Sequence, residues 1–399
     1  MEFSRISNFF VVLATMAVFV MGVFFVFGMV GYAGETQTAF QNILETIGKN
    51  SFYVPPQKLE NPPQIIKAVY VTAYSAGSNS YLDYLDSLID STEINAVVID
   101  VKGSNGYVSY DSGAEDVKNY NLSNKVIRNI DNLVNHFHSK NVYIIGRIAV
   151  FEDPVFAKAR PELAVYDKDR TAVSPEPGQR VLWQDVNGLS WMDPASKDVW
   201  DYNISLAEDA FYHGFDEINF DYIRFPSDGN AEAMGFPVWQ ENTLMADTIK
   251  NFFEYIRQNL PNEKISADLF GLTTVNTDDM GIGQILENAL ESFDYVCPMI
   301  YPSHYENGFI GYENPAEHPY EVIRYSMNSA VYKKENLLPT QANLAKFRPW
   351  LQDFDMGAEY TADMIKQEIK AVEDALQQDY AGFMIWNPKN IYTKEAILN

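Results

Sequence analysis

The sequence has almost no cysteine: Cys297 stands alone. A single thiol excludes an intramolecular disulfide and any cysteine-rich zinc or iron–sulfur centre, and a small core residue is the expected role for it. Histidine is nearly as scarce, with five in the chain. His136 and His138, two apart on an expected helix, point in different directions, and the loop Thr277–Gly281 lacks the alternating Asp spacing of a calcium loop. Neither a metal nor a cofactor is expected. Positive charge is the third shortage: 29 basic residues face 54 acidic ones. With no cluster among the basic residues, a formal charge of -25 repels a phosphate backbone, so nucleic acid is not an expected partner. Neutral or cationic polymers suit such a surface better. No Gly-x-Gly-x-x-Gly follows any strand, which weakens the case for a doubly wound nucleotide-binding sheet.

What is present is apolar and aromatic material, 47% and 14% of 399 residues, enough to bury a large core and leave rings over to line a site. One part of it is continuous. Phe9 to Ala33 carries no charge and is long enough to span a bilayer as a helix. Arg5 precedes it, so the expected orientation is a cytoplasmic amino terminus with the rest of the chain outside the cell membrane. The length favours an uncleaved, single-pass transmembrane signal anchor. A cleaved signal has a shorter apolar region, although Gly31-Tyr32-Ala33 offers a small-x-small cleavage pattern that would leave the protein secreted. Residues 34–63 hold Pro55-Pro56 and Pro62-Pro63 and read as a semi-stiff linker. The folded domain is expected over 64–399.

From there, β-branched and aromatic runs alternate with helical spacing, the pattern of parallel strands joined by crossover helices. Eight runs are found: 65–74, 95–101, 141–150, 215–222, 264–270, 293–300, 336–343 and 380–386. Eight strands close a (β/α)8 TIM-like barrel, the expected α/β fold. Leu244, Ile249, Phe252, Ile256 and Leu260 mark one crossover helix, and Met364, Ile369, Val372 and Leu376 another. Asp193-Pro194 reads as the start of a third. The long gap between strands three and four predicts an insertion over about 151–190, a lid or subsite wall. Little chain remains for an eighth helix.

In such a barrel the chemistry sits at the carboxyl ends of the strands. The fourth strand places Glu217, Asn219 and Asp221 on one face, and the fifth places Ser266, Asp268 and Phe270. Glu217, lowest, is expected to plug the interior. Asp221 and Asp268 arrive at similar height on neighbouring strands, the pairing glycoside hydrolysis requires: one ionised carboxylate to attack and one protonated acid to donate. Asp100 and Lys102 share a face of strand two, and Asp100 with Arg147 forms either an interior ion pair or a hydroxyl-binding group. Arg147 and Arg224 are also placed to keep a carboxylate charged. Tyr301 and His304 end strand six, and Trp386-Asn387 end strand eight. These are expected substrate-binding groups, flat rings suiting the C–H faces of sugars; Trp183, Trp191 and Trp239 lie in or near loops of the same face, where packing accounts for each at least as well.

Ala68–Thr72, Gly146–Phe151, Trp191–Pro194, Phe220–Pro226 and Pro298–Tyr305 together resemble a family of uncharacterised bacterial and archaeal glycosyl-hydrolase-like domains, related at a distance to α-amylase-type barrels. The resemblance spans residues 65–390. It implies a TIM barrel acting on a polysaccharide, with a nucleophilic aspartate at the end of strand four, the place of Asp221. Amylases carry a glutamate acid at the end of strand five where this chain has the shorter Asp268, so Glu152, Asp153 and Asp100 remain alternatives for the acid. The third amylase carboxylate, after strand seven, has no counterpart at Gln341 or Asn343. The expectation is a membrane-anchored, extracytoplasmic glycosidase acting on a carbohydrate polymer. The alternative is a non-catalytic glycan-binding or envelope-scaffold protein on the same barrel. An amidohydrolase is disfavoured, since Tyr70-Val71-Thr72 stands where strand one would carry its His-x-His.

Overall fold

The computed structural model describes residues 53–174, 178–337 and 344–398. The expected anchor lies outside the described residues, among which no helix is long and apolar enough to cross a membrane. One compact unit runs from Pro55 to Asn399. The end of the expected linker is therefore part of this unit, with Leu59 N donating to Asp216 Oδ1 at 2.7 Å.

Eight staves make up the sheet: β1 (Ile66–Val71), β2 (Ala96–Lys102), β3 (Tyr143–Ala149), β4 (Glu217–Asp221), β5 (Ile265–Phe270), β6 (Tyr295–Met299), β7 in two pieces (Lys346–Phe347 and Trp350–Gln352) and β8 (Gly382–Trp386). Every neighbour is parallel. Ile66 pairs with Gly382 and Trp350 with Met299, which closes the ring as the barrel expectation requires. Gly382, at φ 104°, is needed at the first seam, because a Cβ there would sit 1.8 Å from Ile66 O. Outside the barrel lie α1 (Asn79–Asp90), α2 (Ile130–Ser139), α3 (Lys197–Tyr212), α4 (Met245–Asn259), α5 (Leu286–Leu290), α6 (Pro319–Asn336) and α7 (Ala362–Leu376). The eighth position holds only the 3₁₀ turn Lys394–Ala396.

The period of two divides each stave between two cores. Val69, Val97, Ile99 and Ile144 face outward against the helices. Ala68, Tyr70, Val98, Ile145, Cys297, Trp350 and Met384 fill the interior. The middle of that interior is polar. Glu217, fully buried, pairs with Arg348 and accepts from Ser266 Oγ at 2.6 Å and Tyr143 OH at 3.2 Å, the plug expected of it.

Several sequence expectations need correction. Asn336 ends α6, positions 338–343 lie outside the described residues, and the seventh stave is found later, at 346–352. Asp353 therefore follows β7, but it accepts from Thr393 N and Oγ1 at 2.8 and 2.7 Å and lines neither of the cavities described below. Lys102 does not share a face with Asp100: a register shift between them, a β-bulge, turns it outward, where Nζ meets Asp153 Oδ2 at 2.6 Å. Helix α3 starts after Ser196, while Asp193 accepts from the backbone N–H groups of Ala195, Val238 and Trp239. Leu244 precedes α4 and is exposed.

Candidate active site

Asn219 pairs with Ser266 and Phe220 with Ala267, so one further step sets Asp221 level with Asp268 where β4 and β5 end. Both line one cavity of about 430 Å³ at the barrel mouth, together with Tyr70, Arg147, Tyr301 and Trp386.

Asp221 accepts three hydrogen bonds from two groups. Arg147, from β3, sends Nε and Nη2 to its Oδ2 at 3.0 and 2.6 Å. Tyr222 N donates to Oδ1 at 2.6 Å. Tyr222 itself adopts φ 52°, a left-handed conformation costly for a bulky side chain and of the kind that collects at functional sites. The Nη1 of Arg147 reaches Asp100 Oδ1 at 2.6 Å, and Tyr70 OH donates to Asp100 Oδ2 at 2.6 Å. Burial alone would favour loss of the guanidinium's proton, but Asp221 and Asp100 outweigh it and hold that proton more firmly than usual. The ion pair expected between Asp100 and Arg147 is present, extended to Asp221.

Asp268 lives in the opposite environment. Its Oδ1 accepts from Asn219 Nδ2 at 2.8 Å and Trp350 Nε1 at 2.7 Å, while Oδ2 has no hydrogen-bond partner among the described residues. Burial, then the charge of Asp221, pushes its carboxyl well above the usual range, and the two bonds at Oδ1 recover only part of the shift. A carboxyl held protonated therefore lies beside one paired with a guanidinium, two environments different enough to divide acid and nucleophile roles. Asp268 is fully enclosed, whereas Asp221 keeps 7% of its surface open. Glu152 is a second neutral carboxyl nearby, pushed up to about 8 by burial and the charge of Asp185, with Arg224 pulling the other way.

Aromatic rings form the opposite wall. Trp386 lies 5.6 Å from Tyr301 at 32° and 5.0 Å from Phe354, and His304 lies 5.2 Å from Tyr301. Burial lowers the pKa of His304, keeping the ring neutral at pH 7. Arg224 lines the same cavity, its guanidinium 4.6 Å from the Trp191 ring and 4.9 Å from Phe270, bonded through Nη1 to Phe225 O and Ser227 Oγ.

Other expected groups stand elsewhere. Asn387 lines neither cavity and braces a turn, taking the Lys389 N–H at 2.8 Å and bonding Asp353 O. Trp183 and Trp191 are core residues whose indoles donate to Asn230 O and Asp185 Oδ2, and Trp239 packs on Phe225 and Phe236. No described residue of 151–190 lines either cavity. Asp153 serves Lys102 and caps the helix after it through Phe156 N, which removes it as an acid. The sequence reading passed over Tyr70, Tyr222, Trp350 and Phe354. The even positions of β1 could have revealed Tyr70, but the misplaced seventh strand hid Trp350.

Fold comparison agrees with this architecture. The glycoside hydrolase domain of PgaB (BpsB) from Bordetella bronchiseptica superposes with a TM-score of 0.56 at 13% identity, over 84% of this chain and 99% of that one. A hypothetical protein from Ruminiclostridium thermocellum is 36% identical over 50% of this chain and 96% of its own, with a TM-score of 0.45. An α-galactosidase from Thermus thermophilus reaches 0.48 at 12% identity, over 85% and 61% of the two chains. No curated protein matches the chain. The PgaB likeness extends to the fold alone, but a family model described as "Putative glycosyl hydrolase domain" matches residues 68–392, the whole barrel from β1 to the last loop, and to that glycosyl hydrolase family this chain belongs.

Proposed function

We propose that the protein is a glycosidase that cleaves a polysaccharide or cell-envelope glycan by a two-carboxylate mechanism. In this reading Asp221 attacks the anomeric carbon and Asp268 protonates the departing oxygen. The supporting observation is their equal height on adjacent staves at the lining of one cavity, Asp221 paired with Arg147 and Asp268 enclosed and held protonated. Neighbouring strands lie about 4.8 Å apart, a separation that suits a retaining mechanism, since an inverting one needs room for a water molecule. Arg147 and the Tyr222 N–H aim Asp221, and the guanidinium supplies its counter-charge. Tyr301, His304 and Trp386 offer a ring face and hydrogen-bonding groups to a sugar, and Arg224 offers a cation. The apolar stretch 9–33 tethers the domain to the outer face of the cell membrane.

Hydrolysis of a glycan panel by wild type, Asp221→Asn and Asp268→Asn tests the assignment. Each substitution is expected to lower kcat by roughly 10²–10⁴-fold on a cleaved glycan, and equal activity of all three overturns it. One observation favours the non-catalytic alternative: a fully enclosed Asp268 reaches a leaving group only if the bound sugar displaces what covers it. Glycan binding without cleavage by the wild type is the outcome that selects that alternative.

A further inference from the structure

A second cavity, of about 300 Å³, adjoins the first. The two share Tyr70, Arg147, Tyr222 and Trp386 as lining, and two of these, Arg147 and Tyr222, are the groups that hold Asp221. Asp221 therefore stands near the junction of two connected hollows rather than at the bottom of a blind pocket.

The second hollow has the chemistry of a sugar subsite. At its rim, Tyr74 and Tyr107 leave 61% and 41% of their surface exposed, two rings open to the C–H face of a sugar. Asn124 Nδ2 donates to Tyr74 OH at 3.1 Å, and Asn105 Oδ1 accepts from Tyr107 N at 3.0 Å, so both amides are oriented. The buried Ser109, only 3% exposed, also lines the hollow, and its Oγ has no hydrogen-bond partner among the described residues. A buried hydroxyl without a partner costs stability, and a sugar hydroxyl reaching it would offset that cost.

We propose that this cavity is a second glycan subsite, holding sugar units beyond the scissile bond, and that the enzyme therefore cuts within a polymer rather than releasing single sugars from its end. The inference rests on the glycosidase reading and extends it to the substrate. Ring faces of Tyr74 and Tyr107 stack on the sugar, and Ser109 Oγ with the Asn105 and Asn124 amides bonds its hydroxyls.

The probes are oligosaccharide ladders from disaccharide to hexasaccharide of β-1,4-glucan, α-1,4-glucan and β-1,4-linked N-acetylglucosamine. They are used in calorimetric titration and hydrolysis with the full chain, Tyr74→Ala, Tyr107→Ala and Ser109→Ala. Each variant is expected to weaken binding of the preferred hexasaccharide about five- to tenfold, leave the disaccharide unaffected, and flatten the rise of kcat/KM with length. Ser109→Ala is expected to do so with an unchanged or higher Tm, which a structural role for the hydroxyl would not allow. Unaltered hexasaccharide binding in all three variants overturns the proposal, as does a wild type that binds no hexasaccharide. Length-dependent binding that the variants weaken, without any hydrolysis by the wild type, supports the subsite and overturns the glycosidase reading instead.

Discussion

Glu152 shows how much one carboxyl depends on its surroundings. It is 5% exposed, faces the charges of Asp185 and Asp221, and has Arg224 as its offsetting cation. Its folded pKa, pushed up to about 8, stands above the ordinary 4.5, so the native state keeps a proton that an unfolded chain gives up first. Stability consequently falls as pH rises from about 4.5 to 8 and levels off above that. Glu152→Gln removes the ionisation. Thermal melts at pH 5 and pH 9 are expected to show no gain at the lower pH and a gain of about 2 to 4 kcal/mol at the higher one. A wild-type melt independent of pH across this range contradicts the buried, neutral state. Because Glu152 lines neither cavity, the same variant is expected to retain hydrolysis, and its loss would count against Asp268 as the sole acid. Both residues were legible in the sequence as candidates. Their protonation states were not, because these depend on burial and on charges brought from distant segments.

At the level of elements, β7 matters most to the acid. Trp350 closes the barrel against Met299 and also donates its indole N–H to Asp268 Oδ1. A hydrogen bond to a carboxylate favours the charged form, so Trp350→Phe raises the pKa of Asp268 further. The acid must be protonated to act, and the alkaline limb of the kcat profile is therefore expected to move to higher pH. An unmoved limb denies Asp268 the role of acid. The other staves could be read from sequence because each is a long, buried, β-branched run, such as Ala96–Lys102. The seventh could not: it is split into pieces of two and three residues, and its strongest signals, Arg348 and Trp350, do not look like a strand without their partners Glu217 and Asp268. The bulge beyond Asp100 was invisible for a related reason, since period two carries no mark of an inserted residue. Asn387 stands just beyond the end of β8 but turns to backbone, bonding Lys389 N and Asp353 O, a choice made by packing rather than by pattern.

For the molecule as a whole, the closed barrel was legible because eight runs spaced by helical segments admit few other topologies, whereas the join between barrel and linker was not. Proline pairs mark Pro55 to Pro63 as linker, yet this segment packs against the barrel. Lys58 Nζ sits 4.1 Å over the Phe211 ring, and a Cβ on Gly214 would meet Pro56 O at 2.8 Å. Leu59 N bonds Asp216 Oδ1, whose other oxygen accepts from Ile144 N at 2.8 Å and meets His138 Nε2 at 3.0 Å. One carboxylate thus ties the segment to β3 and α2, and a hydrogen bond to a charged group contributes about 1.5 to 3 kcal/mol. Two truncations separate tether from fold. A chain beginning at Pro55 is expected to melt with the full-length protein and to leave the membrane fraction, since it lacks the apolar stretch. A chain beginning at Gln64 is expected to stay equally soluble but melt roughly 2 to 4 °C lower, the scale set by that bond in a domain of this size. Retention of the Pro55 chain on membranes would refute the tether, and equal melting of the two truncated chains would show the docked segment to be dispensable.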